Sequence, residues 1–206
     1  LGPGMAYKLA GNQFGLDVAF SNKLEFDESR MSMRIPLADG NKRDGVGDLL
    51  NVEGIVLDRH KRNPSALFDH GKQVSLPIGM CAEWDETAQK YDIDKYTVGI
   101  YPEMKSADFI CYFYQGKGLQ SFDSDDPYEA GRKEEYNHSV FCEQTYHLAR
   151  IGMLRGGSIG YQVMQAKEIP PDHQSGVPQG LYLHRILMLE GSLVVLPANM
   201  ETVVKM

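Results

Sequence analysis

Cysteine is scarce and shows no pairing pattern. Cys81, Cys111 and Cys142 are odd in number, widely spaced and without a CxxC pair. That excludes a disulfide framework and a zinc knuckle, and it suits a reducing compartment. Long apolar runs are also missing. The longest, Ile186 to Ala198, is interrupted by Glu190 and is shorter than the roughly 20 residues a bilayer-spanning helix needs, so no membrane association is expected. No charged n-region with an apolar h-region opens the chain, and Leu1-Gly-Pro-Gly ahead of Met5 (residues 1–4) reads as the remnant of an expression tag. Positive charge is in deficit, with 21 Lys and Arg against 28 Asp and Glu and a formal net charge of −7. A phosphate backbone is repelled by that balance, which argues against nucleic acid as a direct ligand.

What is present is ordinary globular material. A chain of 206 residues, 42 % hydrophobic and 24 % charged, is enough for one substantial core and too little for two. From Leu49 onward short apolar runs alternate with turn residues: Leu49 to Leu57, Ala66 to Phe68, Leu76 to Ala82, Tyr96 to Tyr101 and Phe109 to Tyr114. The pattern predicts an antiparallel sheet or barrel. Residues before Leu49 are less legible, and Ala38 to Gly47 is a loop by composition. The period then changes. Asp126-Pro-Tyr-Glu129 has the form of a helix start, and Phe141, Leu148, Ile151 and Leu154 recur at helical spacing. Gly156-Gly157 is the expected helix stop, whether one helix runs there from Asp126 or two are divided near Gly131 or Asn137. Ile159 to Gln165 and Leu181 to Leu196 are expected to pair as strands across a polar loop.

Gly156-Gly-Ser-Ile-Gly160 has the form G-x-S-x-G. The α/β-hydrolase elbow needs a strand before the serine and a helix after it, and here the expected order is reversed. The glycines still permit close backbone approach at Ser158. A serine hydroxyl needs a base, and a neutral imidazole is the usual one near pH 7. Among six histidines, His70 follows an apolar run and precedes glycine, where a strand opens into a loop and catalytic groups are common. His60, in Asp58-Arg-His-Lys-Arg-Asn63, reads as part of a solvated turn, and His138 and His147 belong to the helical region. Asp58, His60, Asp69 and His70 lack metal-ligand spacing and a built-in glutamate base, so no metal and no cofactor is expected. Glu190 is the one ionisable group between Ile186 and Leu196. Two readings stay open: its carboxylate reaches water at a strand end or bulge, or it pairs with an imidazole. Asp69, next to His70 in what reads as extended chain, should project to the other side.

Four segments occur in order: Ala66-Leu-Phe-Asp-His70; Leu76-Pro-Ile-Gly79; Ala149 to Leu154 leading into Gly157-Ser-Ile-Gly-Tyr161; and Leu189-Glu-Gly-Ser-Leu-Val-Val-Leu-Pro-Ala-Asn199. Together they resemble the prohead proteases of tailed bacteriophages, which are similar in fold to the herpesvirus capsid-maturation proteases. The resemblance covers roughly residues 50–200. It implies a mainly β fold with flanking helices (α+β), a closed β-barrel over residues 49–206, and an N-terminal extension or first strands over 5–48, all in one domain. It also implies a serine endopeptidase with Ser158 as nucleophile and His70 as general base. Glu190 stands where the herpesvirus relatives carry a second histidine. Pro197-Ala-Asn199 lies where those relatives supply oxyanion donors, which implies an amide of Ala198 or Asn199 in that role. The substrates implied are scaffold and capsid proteins, and the chain itself, inside an immature phage head in the host cytoplasm, with a homo-oligomer allowed. The competing readings are an inactive assembly module of the same fold and a generic intracellular hydrolase. The chain departs from the family pattern over 115–137 and 168–180.

Overall fold

The computed structural model describes residues 26–72, 76–116, 130–174 and 176–197. Twelve strands and two α-helices lie within them. The strands are β1 (Phe26–Asp27), β2 (Ser32–Asp39), β3 (Leu49–Leu50), β4 (Ile55–Val56), β5 (Ser65–Phe68), β6 (Gly79–Met80), β7 (Ala82–Asp85), β8 (Lys90–Tyr96), β9 (Val98–Tyr101), β10 (Ser106–Phe113), β11 (Gly156–Ile169) and β12 (Gly180–Val194). The helices are α1 (Asp58–Arg62) and α2 (Ala130–Arg150). The main sheet runs β1-β2-β10-β6-β5-β12-β11, and β7 and β8 form a separate hairpin. The fold is mainly β with helices, as the sequence implies.

The apolar run after Gly180 becomes β12, the strand around which the site is built. On one side it pairs antiparallel with β11 along nearly its whole length, the two-strand arrangement expected from sequence. On the other side β3, β4 and β5 pair with it in turn, all parallel. The sheet is therefore mixed rather than antiparallel. Leu49 to Leu57 is not one strand because a 3-10 turn, Val52–Gly54, interrupts it. At that turn Gly54 lies so close to β12 that a Cβ would stand 1.8 Å from the His184 carbonyl oxygen. Three short strands thus step along one long partner and deliver Phe68 beside Leu193.

Alternate residues of β2 (Met33, Ile35, Leu37), β10 (Phe109, Cys111, Phe113) and β12 (Ile186, Met188) face one core and are at most 2 % exposed. Each large side chain so buried contributes about 1.5–3 kcal/mol relative to exposure. The ladder does not close on itself: among the described residues no pairing joins β11 to β1 or β2, so the expected closed barrel is not found. The two edges nevertheless touch, since a Cβ at Gly157 on β11 would stand 1.7 Å from the Pro36 carbonyl oxygen on β2. Pro36 has no amide hydrogen to donate to a ladder there.

The helix start expected at Asp126 to Glu129 lies outside the described residues. At the other end, α2 stops at Arg150, earlier than expected. Gly152 takes the left-handed stop with φ 80°, and the amides of Met153 and Leu154 turn back to the Leu148 carbonyl. Gly156 and Gly157 belong to β11 instead. The buried stripe of α2 is Cys142, Tyr146 and Ala149. Tyr146 meets Phe113 edge-on at 5.2 Å and Phe141 meets Phe68 at 5.7 Å, which fixes the helix against β10 and against the strand leading to His70. Ile151 falls beyond the helix and is exposed, while Leu154 is buried without being helical.

Candidate active site

After β5 the chain makes a tight 3-10 turn, Asp69–Gly71. Asp69, His70 and Gly71 have φ of 45°, 59° and 70° in succession. Left-handed backbone at a non-glycine residue costs about 1–3 kcal/mol and persists where surrounding contacts hold it. The turn carries the His70 ring back over β12, where Nδ1–H donates to Glu190 Oε1 at 2.7 Å, a contact between residues 120 apart in the chain. Of the two readings left open for Glu190, the carboxylate meets the imidazole. Asp69 is not part of an extended segment, and it is Glu190 that orients the ring. Because a carboxylate only accepts, the proton must sit on Nδ1, which leaves the Nε2 lone pair free to act as a base.

Glu190 is 8 % exposed, and its other oxygen accepts a hydrogen bond from the Ser192 hydroxyl. Ser158 on β11 stands directly opposite Ser192, and Gly160 directly opposite Glu190. Paired residues share a face, as do residues two apart in a strand. Ser158, Ser192 and Glu190 therefore line one face, with His70 bonded to the carboxylate there. The Ser158 hydroxyl and His70 Nε2 have no hydrogen-bond partner among the described residues, and the structure does not join them to each other.

Gly160 makes room for the carboxylate, since a Cβ there would stand 2.0 Å from Glu190 Oε1. Gly160→Ala is accordingly expected to push the carboxylate off His70 and to break a charge-assisted hydrogen bond of about 1.5–3 kcal/mol. The His70 Nδ1 proton in an NMR spectrum, with a melting curve beside it, checks this: an unchanged resonance in the variant would show that the carboxylate tolerates the methyl group.

The other nucleophile candidates are inert. Cys81, Cys111 and Cys142 are all buried. Burial pushes each thiol up, Cys142 to about 12, so all three stay protonated near neutral pH. His138 lies 3.5 Å from the Cys142 sulfur, but its Nε2–H donates to the Pro77 carbonyl at 2.8 Å and has no lone pair to offer the thiol.

His60 is not in a solvated turn. It is 1 % exposed, its Nδ1 accepts from the Tyr96 hydroxyl at 2.7 Å and its Nε2–H donates to the Ser65 carbonyl at 3.1 Å. Burial lowers its pKa, opposed by the Ser65 hydrogen bond and the Glu190 charge. Removing the ring orphans two polar groups, so His60→Ala should cost about 1–3 kcal/mol of stability. The depressed pKa has a second consequence. Above pH 6.5, the ordinary value, the ring is neutral in both states; below it the unfolded chain takes up a proton that the folded ring resists. Stability should therefore fall on acidification below about pH 6.5, and His60→Ala should flatten that slope in melting curves taken across the range.

No group of three His, Cys, Asp or Glu side chains able to hold a metal occurs among the described residues. No helix among them is long and apolar enough to cross a membrane. Ala198 and Asn199 lie outside the described residues; Pro197 just before them abuts Gly156, two residues from Ser158. Sequence reasoning puts Ser192 on the same strand face as Glu190 but gives it no role, and it assigns no role to Gly160. The signal was present in Glu190-Gly-Ser192, an i, i+2 pair on a strand, where both side chains share a face.

Comparison with models of known families, with curated proteins and with solved structures returns no match for this chain.

Proposed function

We propose that the chain is a serine endopeptidase of the prohead-protease type. On this reading it cleaves scaffold and capsid proteins, and itself, inside the immature head of a tailed bacteriophage in the host cytoplasm. The observation that carries the reading is the 2.7 Å hydrogen bond from His70 Nδ1 to Glu190 on the face that also bears Ser158. A histidine fixed in that tautomer is half of a hydrolytic unit, and the facing serine supplies the other half. The closed barrel of such proteases belongs to the same proposal, with the contact between Gly157 and Pro36 as the seam where β11 and β2 complete it.

The chemistry follows from these groups. Ser158 Oγ bonds to the scissile carbonyl carbon as its proton passes to His70 Nε2, and the Glu190 carboxylate stabilises the imidazolium. The C–N bond then breaks, and the departing amine takes the proton from His70. A water molecule repeats the attack on the acyl-enzyme and returns Ser158 to its starting state. An amide of Ala198 or Asn199 holds the oxyanion in this scheme. Apo catalytic hydrogen bonds are often long and tighten with substrate bound, which fits the unbonded Ser158 and His70.

That same gap favours the second reading, an assembly module of this fold that binds scaffold or capsid subunits without cutting them. Mass spectrometry of co-expressed capsid and scaffold proteins separates the two. Defined cleavage products that vanish with Ser158→Ala support the protease; intact partners in both samples support the module.

A further inference from the structure

We infer that Ser192 is a positioning residue for this site, holding the Glu190 carboxylate turned so that Oε1 meets His70. The inference rests on the triad reading above. Glu190 is nearly buried, and its two oxygens can only accept. Oε1 is taken by His70, and Oε2 is taken by the Ser192 hydroxyl. Ser192 is itself 0 % exposed, and its hydroxyl is committed to its hydrogen bond with Glu190 Oε2. For the same reason solvent is poorly placed to replace its hydrogen bond.

A carboxylate that loses one of two donors in a dry site has two ways to recover. It can rotate toward another partner, or it can hold a proton to higher pH. Rotation moves Oε1 off Nδ1, and protonation removes the charge that stabilises the imidazolium. Both failures act at His70, although Ser192 does not touch it. Ser192 also stands directly across the ladder from Ser158, so one residue ties the strand of the nucleophile to the carboxylate that orients the base. The titratable groups acting on Glu190 include His70 on the turn after β5, His60 on α1 and Cys81 after β6. Burial keeps the last two neutral, and β11 presents Ser158 and Gly160 without a charge, which leaves His70 as the titratable group bonded to Glu190.

The test is the rate of covalent labelling by a fluorophosphonate as a function of pH, for the wild type, Ser192→Ala and Ser192→Thr. The Ala variant is expected to lower the limiting rate about ten- to hundredfold, with no change in the half-saturating reagent concentration, and to move the acid limb of the profile to lower pH, because either failure takes a stabilising charge away from the imidazolium. Threonine keeps the hydroxyl and suits a strand, so it should restore both. A Ser192→Ala enzyme with the wild-type rate and an unmoved acid limb would overturn the inference. The His70 Nδ1 proton in an NMR spectrum reads the same geometry without turnover. A downfield resonance present in the wild type and lost in Ser192→Ala supports the positioning role, and an unchanged resonance in the variant refutes it. Absence of labelling in the wild type would instead count against the protease reading alone.

Discussion

Ser158→Ala is expected to fold as the wild type does and to cleave nothing. The hydroxyl makes no hydrogen bond among the described residues, so its loss orphans no partner, and alanine fits a buried strand position. The chemical loss is of another order: removing the nucleophile of a serine protease unit lowers turnover by about six orders of magnitude. Cleavage of capsid or scaffold protein by the purified variant is the measurement, with a melting curve as control for folding. Residual cutting would move the nucleophile elsewhere, although the protonated, buried state of all three cysteines already weighs against a thiol.

Glu190→Gln is expected to lower kcat by up to about 10⁴ while leaving KM nearly unchanged. The amide preserves size and shape, so the loss is electrostatic and tautomeric. The Ser192 hydroxyl, which donates to Glu190 Oε2 in the wild type, would select the carbonyl oxygen of the amide and turn its NH₂ group toward His70. A donor facing Nδ1 favours the tautomer with its proton on Nε2, where a base cannot accept another. The neutral amide also no longer stabilises an imidazolium. Asp69→Asn should do much less, because the His70 ring is bonded to Glu190. Kinetics of the two variants side by side check the assignment, and equal activity of wild type and Glu190→Gln would reduce the site to Ser158 and His70.

The candidate site was more legible in the sequence than the sheet that carries it. Ser158 and His70 announce themselves locally, one among glycines and one at the end of an apolar run. Glu190 stands out as a lone charge in an apolar strand, which physics requires to find a partner. The sheet was harder because its organisation is non-local. β2 does alternate, with Met33, Ile35 and Leu37 on the core face, but its place between β1 and β10 depends on distant partners and could not be read from its own residues. The parallel steps of β3, β4 and β5 along β12 are set by where Gly54 and the intervening turns allow the chain to touch that strand, not by any period. The helix end was misplaced because three glycines follow α2 closely, and only the backbone angles show that Gly152 makes the stop while Gly157 is needed for its contact with Pro36. His60 was hidden by its neighbours: four charged residues around it read as a solvated turn, yet the five-residue helix points that one ring inward to Tyr96 and Ser65.

The most direct test of the central claim, that Ser158 is a nucleophile activated by the histidine bonded to Glu190, is peptide mapping of the protein after treatment with a fluorophosphonate. A single adduct on Ser158 is expected, forming faster as pH rises through the range where an imidazole loses its proton, and failing to form in His70→Ala. An adduct on another residue, or one on Ser158 that forms at the same rate without His70, would contradict it.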